Sequence, residues 1–241
     1  MTAAQAIRDL KKLGDPQRAE HATSYFKAGP GEYAEGDRFL GVRVPQIRKL
    51  ARQYLSMDLA QINTLLESPL HEVRLLGLII LVNQFKQAQA HRRTADMQTI
   101  YRFYVAHTEY VNHWDLVDAS CRDIVGGYLL LAPEKMRRQL DDWAVSGNLW
   151  QRRMAIISTW ALIRDGQLND TIRIAKHLLD DPHDLIHKAV GWMLRDLGGK
   201  DMHTLENFLQ RYASRMPRTM LRYAIEKMPP PQRRNWLNST V

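Results

Sequence analysis

The chain of 241 residues has one cysteine, Cys121, so an internal disulfide is excluded, and no paired cysteine spacing suggests a structural zinc. It has no uninterrupted apolar run approaching the roughly 18 residues of a membrane span. The opening residues MTAAQAIRDLKKLGD lack the apolar stretch of a signal peptide, so a cytosolic or nuclear protein with no membrane partner is expected. Strict apolar/polar alternation rich in Val, Ile and Thr is hard to find, which argues against a β-sheet protein. Neither G-x-G-x-x-G nor G-x-x-x-x-G-K-[ST] occurs, so dinucleotide and P-loop chemistry find no support. H-E-x-x-H is missing and the nine histidines are scattered without a metal-ligand spacing. No metal and no cofactor are expected.

What is present is basic charge and helical periodicity. Lys and Arg number 34 against 26 Asp and Glu, a formal charge of +8 and an isoelectric point near 9.7. A polyanionic partner is favoured, although mild basicity by itself does not identify nucleic acid. Apolar residues recur at three- and four-residue spacing nearly throughout, so the chain reads as all-α. Breakers divide it into pieces of helical length: Gly14-Asp15-Pro16, Gly29-Pro30-Gly31, Pro69, Gly126-Gly127, Pro133, Gly147-Asn148, Gly166, Pro182, Gly198-Gly199, Pro217 and Pro229-Pro230-Pro231.

Four of these pieces resemble one another. HEVRLLGLIIL, LWQRRMAIIST, DLIHKAVGWML and TMLRYAIEKM each open an apolar run with a cation, at Arg74, Arg153, Lys188 and Arg222. Positions 153, 188 and 222 are 35 and 34 residues apart, and HWDLVDASCRDIVGGYLL fills the wider interval after Arg74. Helix pairs at such a period suggest a HEAT-like solenoid: a single curved domain over 1–241 with a concave basic face, residues 229–241 forming a flexible or loosely packed tail. Recurring cations would then form a stripe suited to phosphates. Chance similarity among amphipathic helices is the competing explanation.

Individual positions carry less information than the pattern. In Trp114-Asp115-Leu116-Val117-Asp118 a helix places Trp114 and Asp118 one turn apart on one face. Spacing alone favours a structural role, with Asp118 pairing Arg122 or Asp115 capping the helix. Lys188, Trp192 and Arg195 share a helical face, as do Trp150, Arg153 and Trp160. A lone tryptophan at such spacing is normally core, whereas repeated pairing of indole and cation suits sugar and phosphate. Near the N-terminus, Tyr25, Phe26 and Lys27 precede a segment in which Pro45 marks a helix start and Arg48 and Arg52 share a face.

YFKAGPGEYAEGDRFLGVRVPQIRKLA, then WDLVD, WQRRMAI and KAVGWMLRD, in that order, resemble the AlkD-like family of DNA alkylation repair proteins, HEAT-like repeat DNA glycosylases. The resemblance runs from about Tyr25 to Met228. It implies Asp118 as the catalytic carboxylate, Trp114 and Trp192 as aromatic walls beside it, and Tyr25 as an N-terminal aromatic of the same cleft. It implies Arg153 as a phosphate contact, with Arg152 as the alternative. With Arg48, Arg74, Lys188 and Arg195 these make up the expected DNA-binding set. The implied activity is monofunctional excision of N3- or N7-alkylated purines from duplex DNA by a cytoplasmic, prokaryotic monomer that associates with the nucleoid when bound to DNA. A non-catalytic repeat protein that binds branched or distorted DNA, and a protein-protein scaffold, are the alternatives.

Overall fold

The structure, a computed structural model, describes residues 1–238; the end of the expected tail, 239–241, lies outside them. The described residues are helical with no β-strand among them, apart from an isolated parallel bridge between Arg38 and Leu70. They fold as two compact units, Met1–Ile124 and Val125–Val241.

In the first unit, α1 (Ala3–Lys11), α2 (Pro16–Tyr25), α3 (Val44–Gln53), α4 (Leu59–Leu66), α5 (His71–Ala90), α6 (Thr94–Ala106) and α7 (Trp114–Cys121) follow in order. Their starts are written in short polar side chains. Asp15 accepts the Arg18 N–H ahead of α2, with Pro16 in the first helical position, and Asp58 accepts the Gln61 N–H ahead of α4. Each capping oxygen satisfies a backbone donor that has no partner within the helix. Pro45 lies in the first turn of α3, where the sequence placed a helix start.

Helix α5 is apolar around almost its whole circumference and is correspondingly buried, from Val73 through Val82. Helices α3, α4, α6 and α7 pack around it. Ile62, Leu65, Leu76, Ile80 and Phe85 are closed off from solvent there, each contributing about 1.5–3 kcal/mol by burial. The long loop from α2 to α3 is held to the start of α5: the Arg38 N–H bonds the Pro69 carbonyl, and the His71 N–H bonds the Arg38 carbonyl.

The second unit holds α8 (Gly127–Leu129), α9 (Arg138–Ala144), α10 (Leu149–Arg164), α11 (Asn169–His177), α12 (Asp184–Gly198), α13 (Met202–Tyr212), α14 (Arg218–Ala224) and α15 (Pro230–Asn238). Here α10 takes the central place, packing on α8, α9, α11 and α12, while α12 packs on α13 and α14. Asn148 caps α10 by accepting the Trp150 and Gln151 N–H groups. Pro230–Asn238, part of the expected tail, is helical and buries none of its residues.

Gly126-Gly127 does not break the chain as its composition suggests. It lies where α7 runs through a π-helical turn, Arg122–Gly126, straight into α8. The glycine at 126 serves close packing instead: a Cβ there would stand 2.3 Å from the Ser158 carbonyl oxygen and 2.8 Å from the Ala161 Cβ.

Candidate functional site

Trp114 is the first residue of α7 and Asp118 lies one turn later; both are half-buried. Around Trp114 stand Phe26 at 5.6 Å, His113 at 5.5 Å and Tyr25 at 6.3 Å between ring centroids. Tyr25 is 60% exposed, a large aromatic face left to solvent at the end of α2. Asp118 makes itself felt on Tyr104, whose phenol is pushed well above its usual range, chiefly by burial and then by the fields of Cys121 and Asp118.

Beside this aromatic group lies a buried charged network that sequence reasoning did not find. The first acid of WDLVD, Asp115, bonds His113 Nδ1 through Oδ1 at 2.7 Å and His71 Nε2 through Oδ2 at 2.8 Å. The other His71 nitrogen, Nδ1, lies 2.9 Å from Asp37 Oδ2. Arg74 Nη2 donates to both oxygens of Asp37, at 2.7 and 2.8 Å, and Arg74 Nη1 donates to the Ser68 carbonyl. His113 Nε2 bonds the Phe26 carbonyl at 3.2 Å. Next along α5, the Glu72 carboxylate accepts the backbone N–H groups of Leu40, Gly41 and Val42. Gly41 has a φ of +74°, and a Cβ there would lie 2.2 Å from the Asp15 carbonyl oxygen, so this turn requires glycine.

With a carboxylate on each ring nitrogen, His71 is held as an imidazolium. Burial opposes the charge, but hydrogen bonds to Asp115 and Asp37 outweigh it and raise its pKa to about 9. The same contacts act on the acids. Against the opposing effect of burial, His113 and His71 hold Asp115 far below the carboxylate range, and His71 and Arg74 lower Asp37. One atom each from His71, His113 and Asp115 lies within 4.8 Å of the others. Asp115 is the hydrogen-bond partner of both imidazoles, the geometry of a charge-assisted network. His71 and Asp115 form part of the wall of a pocket of about 300 Å³, together with Tyr25, Phe26, Val44 and Leu75.

In the second unit, the half-buried Trp192 donates from Nε1 to Asp196 at 3.2 Å and meets Trp160 edge-on at 4.9 Å. Lys188 pairs with Asp184 at 2.7 Å while 42% of its side chain stays exposed. Arg195 pairs with Glu226 and Asp196. A polar cleft of about 810 Å³ in this unit is lined by Arg137, Asp141, Asp170, Arg173 and neighbours, none of which the sequence singled out.

The expected stripe of open cations is corrected at two positions. Arg74 is 4% exposed and Arg153 is 5% exposed. Arg74 neutralises Asp37, and Arg153 donates from Nη1 to the Leu185 carbonyl at 2.6 Å, so each sits inside its unit. Arg152 is occupied too, on Asp181 and on the Ser146 and Gly147 carbonyls. Arg48 and Arg222 are exposed. At the start of α7 Asp115 bonds two imidazoles, and Arg122 forks onto Asp123 at 2.9 and 2.8 Å.

The described residues are all-helical, with an acid and a tryptophan one turn apart at the start of α7, and comparison with known proteins places the chain. The sequence pattern of the family described as DNA alkylation repair enzyme matches residues 6–228, and the chain belongs to that family. Its role lies in the repair of alkylated DNA, its partner is DNA, and the family is one of enzymes. A protein of Enterococcus faecalis described as a predicted DNA alkylation repair enzyme has a similar solved structure, with a TM-score of 0.70, 17% identity and coverage of 90% of this chain and 98% of that one. A Streptococcus mutans protein called AlkD2 matches with a TM-score of 0.56, 17% identity and coverage of 93% and 96%. At such identity these likenesses establish the fold. A search among proteins of curated function finds no match. No helix among the described residues is long and apolar enough to cross a membrane.

Proposed function

We propose that this chain is a monofunctional DNA glycosylase that excises cationic N3- or N7-alkylated purines from duplex DNA. The observation that carries the reading is the pairing on α7 of Trp114 and Asp118, half-buried and one turn apart, in a member of the DNA alkylation repair enzyme family.

Alkylation at N3 or N7 leaves positive charge on the base, so it departs without being protonated. The remaining task is to stabilise an oxocarbenium-like sugar and direct a water at it, and the Asp118 carboxylate serves both ends. At about 4 Å from a developing unit charge, with an effective dielectric of about 20, the interaction is worth about 4 kcal/mol. That is about a thousandfold in rate, enough for a labile lesion and too little for an intact base. Trp114, Trp192 and Tyr25 offer aromatic faces to the sugar-phosphate backbone, and Arg48, Lys188 and Arg195 offer charge to phosphates. Arg74 and Arg153, being buried, serve binding through the segments they hold. The chemistry calls for neither metal nor cofactor, because the lesion brings its own charge.

Incubation with methylated DNA and chromatography of the released bases tests this reading. Free 7-methylguanine or 3-methyladenine is expected, with uracil left in place in a uracil-containing duplex. Tight DNA binding with no base released would instead make the protein a non-catalytic binder of distorted DNA.

A further inference from the structure

His71 ties together three segments that are distant in sequence. It is the first residue of α5, Asp37 belongs to the loop between α2 and α3, and Asp115 is the second residue of α7. The two N–H directions of an imidazole ring diverge at a fixed angle, so a ring bonded through both nitrogens sets the positions of two carboxylates at once. This ring has little freedom to turn. Phe26 stacks on it at 5.2 Å and 26°, Phe39 lies at 5.0 Å and 34°, and His113 meets it edge-on at 5.1 Å. It is 1% exposed.

Helix α7 needs an external anchor. It is two turns long, its N-cap residue His113 makes no side-chain capping bond, and its far end passes into a π-helical turn. Leu116, Val117 and Cys121 bury its inner face, but apolar contact is non-directional and leaves rotation about the helix axis weakly defined. Directed charge-assisted bonds define it, and those on Asp115 fall between Trp114 and Asp118.

We propose that His71 is a positioning residue: as a cation shared by Asp37 and Asp115 it sets the rotation of α7 and therefore the directions of Trp114 and Asp118. The catalytic half of this inference rests on the glycosylase reading; the positional half does not. The charged and titratable groups facing His71 are Asp37 from the loop, Asp115 and His113 from α7 and its cap, and Arg74 from its own helix. Of these, the two carboxylates keep the ring protonated through neutral pH, and loss of that proton leaves the ring one donor for two carboxylates, which breaks its tie between the loop and α7.

The test uses the full chain labelled with 5-fluorotryptophan, the resonance of Trp114 being assigned by its loss in Trp114→Phe. Fluorine NMR and single-turnover release of 7-methylguanine are followed from pH 6 to 9.5 in the wild type and in His71→Gln, with folding monitored by circular dichroism. In the wild type the Trp114 resonance shifts as the pH approaches and passes 9, and excision falls about fourfold by pH 9.5, where about three quarters of the imidazoles have lost the proton. In His71→Gln the resonance is displaced already at pH 7, excision is at least tenfold slower there, affinity for DNA stays within twofold, and the limb near pH 9 is gone. A Trp114 resonance that stays put through pH 9 in folded wild-type protein overturns the proposal, whether or not His71→Gln folds. A wild type that moves its Trp114 resonance as expected yet releases no base overturns the glycosylase reading alone.

Discussion

Protonation of His71 is linked to the stability of the first unit, and the linkage has a definite sign and size. The folded protein raises the pKa of this imidazole from 6.5 to about 9, so the folded state binds the proton more tightly than the unfolded chain. The resulting stability is fully present below about pH 6.5, declines as the pH rises, and is exhausted once the pH passes about 9. A shift of this size corresponds to about 3 kcal/mol, undiscounted because the side chain is buried. Asp115 and Asp37, whose values are lowered, act oppositely: their contribution is present above the ordinary carboxylate range and is lost in acid. Together these three groups stabilise the first unit most in mildly acidic solution. His71→Gln cannot titrate in either state, so subtracting its unfolding free energy from that of the wild type at each pH isolates the histidine. Urea unfolding monitored at Trp114, the only tryptophan in residues 1–124, gives the difference at pH 6, 7, 8 and 9.5. It should shrink by about 3 kcal/mol across that range, most of it between pH 6.5 and 9. A difference that stays flat with pH would refute the assignment of an imidazolium at this position.

Other substitutions separate internal support from contact with DNA. Arg153→Ala empties a buried position and removes the Nη1 bond to the Leu185 carbonyl, and should cost about 1–3 kcal/mol in thermal or urea unfolding with the salt dependence of DNA binding unchanged; a salt slope reduced by about one with stability intact would return Arg153 to the phosphate contacts. Arg48→Ala and Lys188→Ala should each lower that slope by about one, as measured by titration of a fluorescent duplex between 50 and 200 mM salt. In Gly126→Ala the new methyl meets the Ser158 carbonyl and the Ala161 Cβ. Overpacking of about 1–3 kcal/mol should outweigh the roughly 1 kcal/mol that alanine gains over glycine in a helix, so a raised melting temperature would contradict the close packing described for α10.

The helical character was legible because apolar spacing at three and four residues is imposed by burial of one face and needs no knowledge of the partner. α5 and α10 are apolar on nearly all sides, and the sequence shows this as near-continuous runs. Proline and glycine marked most boundaries for local steric reasons. Gly126-Gly127 misled because the same residue type serves both a break and a close approach between helices, and only the fold distinguishes them. The cations at 74 and 153 were read as surface charge because a helical repeat predicts recurrence, whereas burial depends on the acceptors the fold supplies, Asp37 in one case and the Leu185 carbonyl in the other. His71 and His113 stand 42 positions apart in the chain, and nothing local announces that a loop aspartate and the first acid of WDLVD meet between and beside them. Their signal lay in HEVR and HWD, two histidines each next to an acid or a tryptophan, in the same segments as Arg74, Trp114 and Asp118.

The central claim is that the charge of Asp118 drives base release, and Asp118→Asn tests it with nearly unchanged shape. Single-turnover excision of 7-methylguanine should fall by two to three orders of magnitude, matching the loss of about 4 kcal/mol of electrostatic stabilisation, while DNA affinity and melting temperature hold or rise slightly. Full excision activity in a folded Asp118→Asn protein would contradict the account.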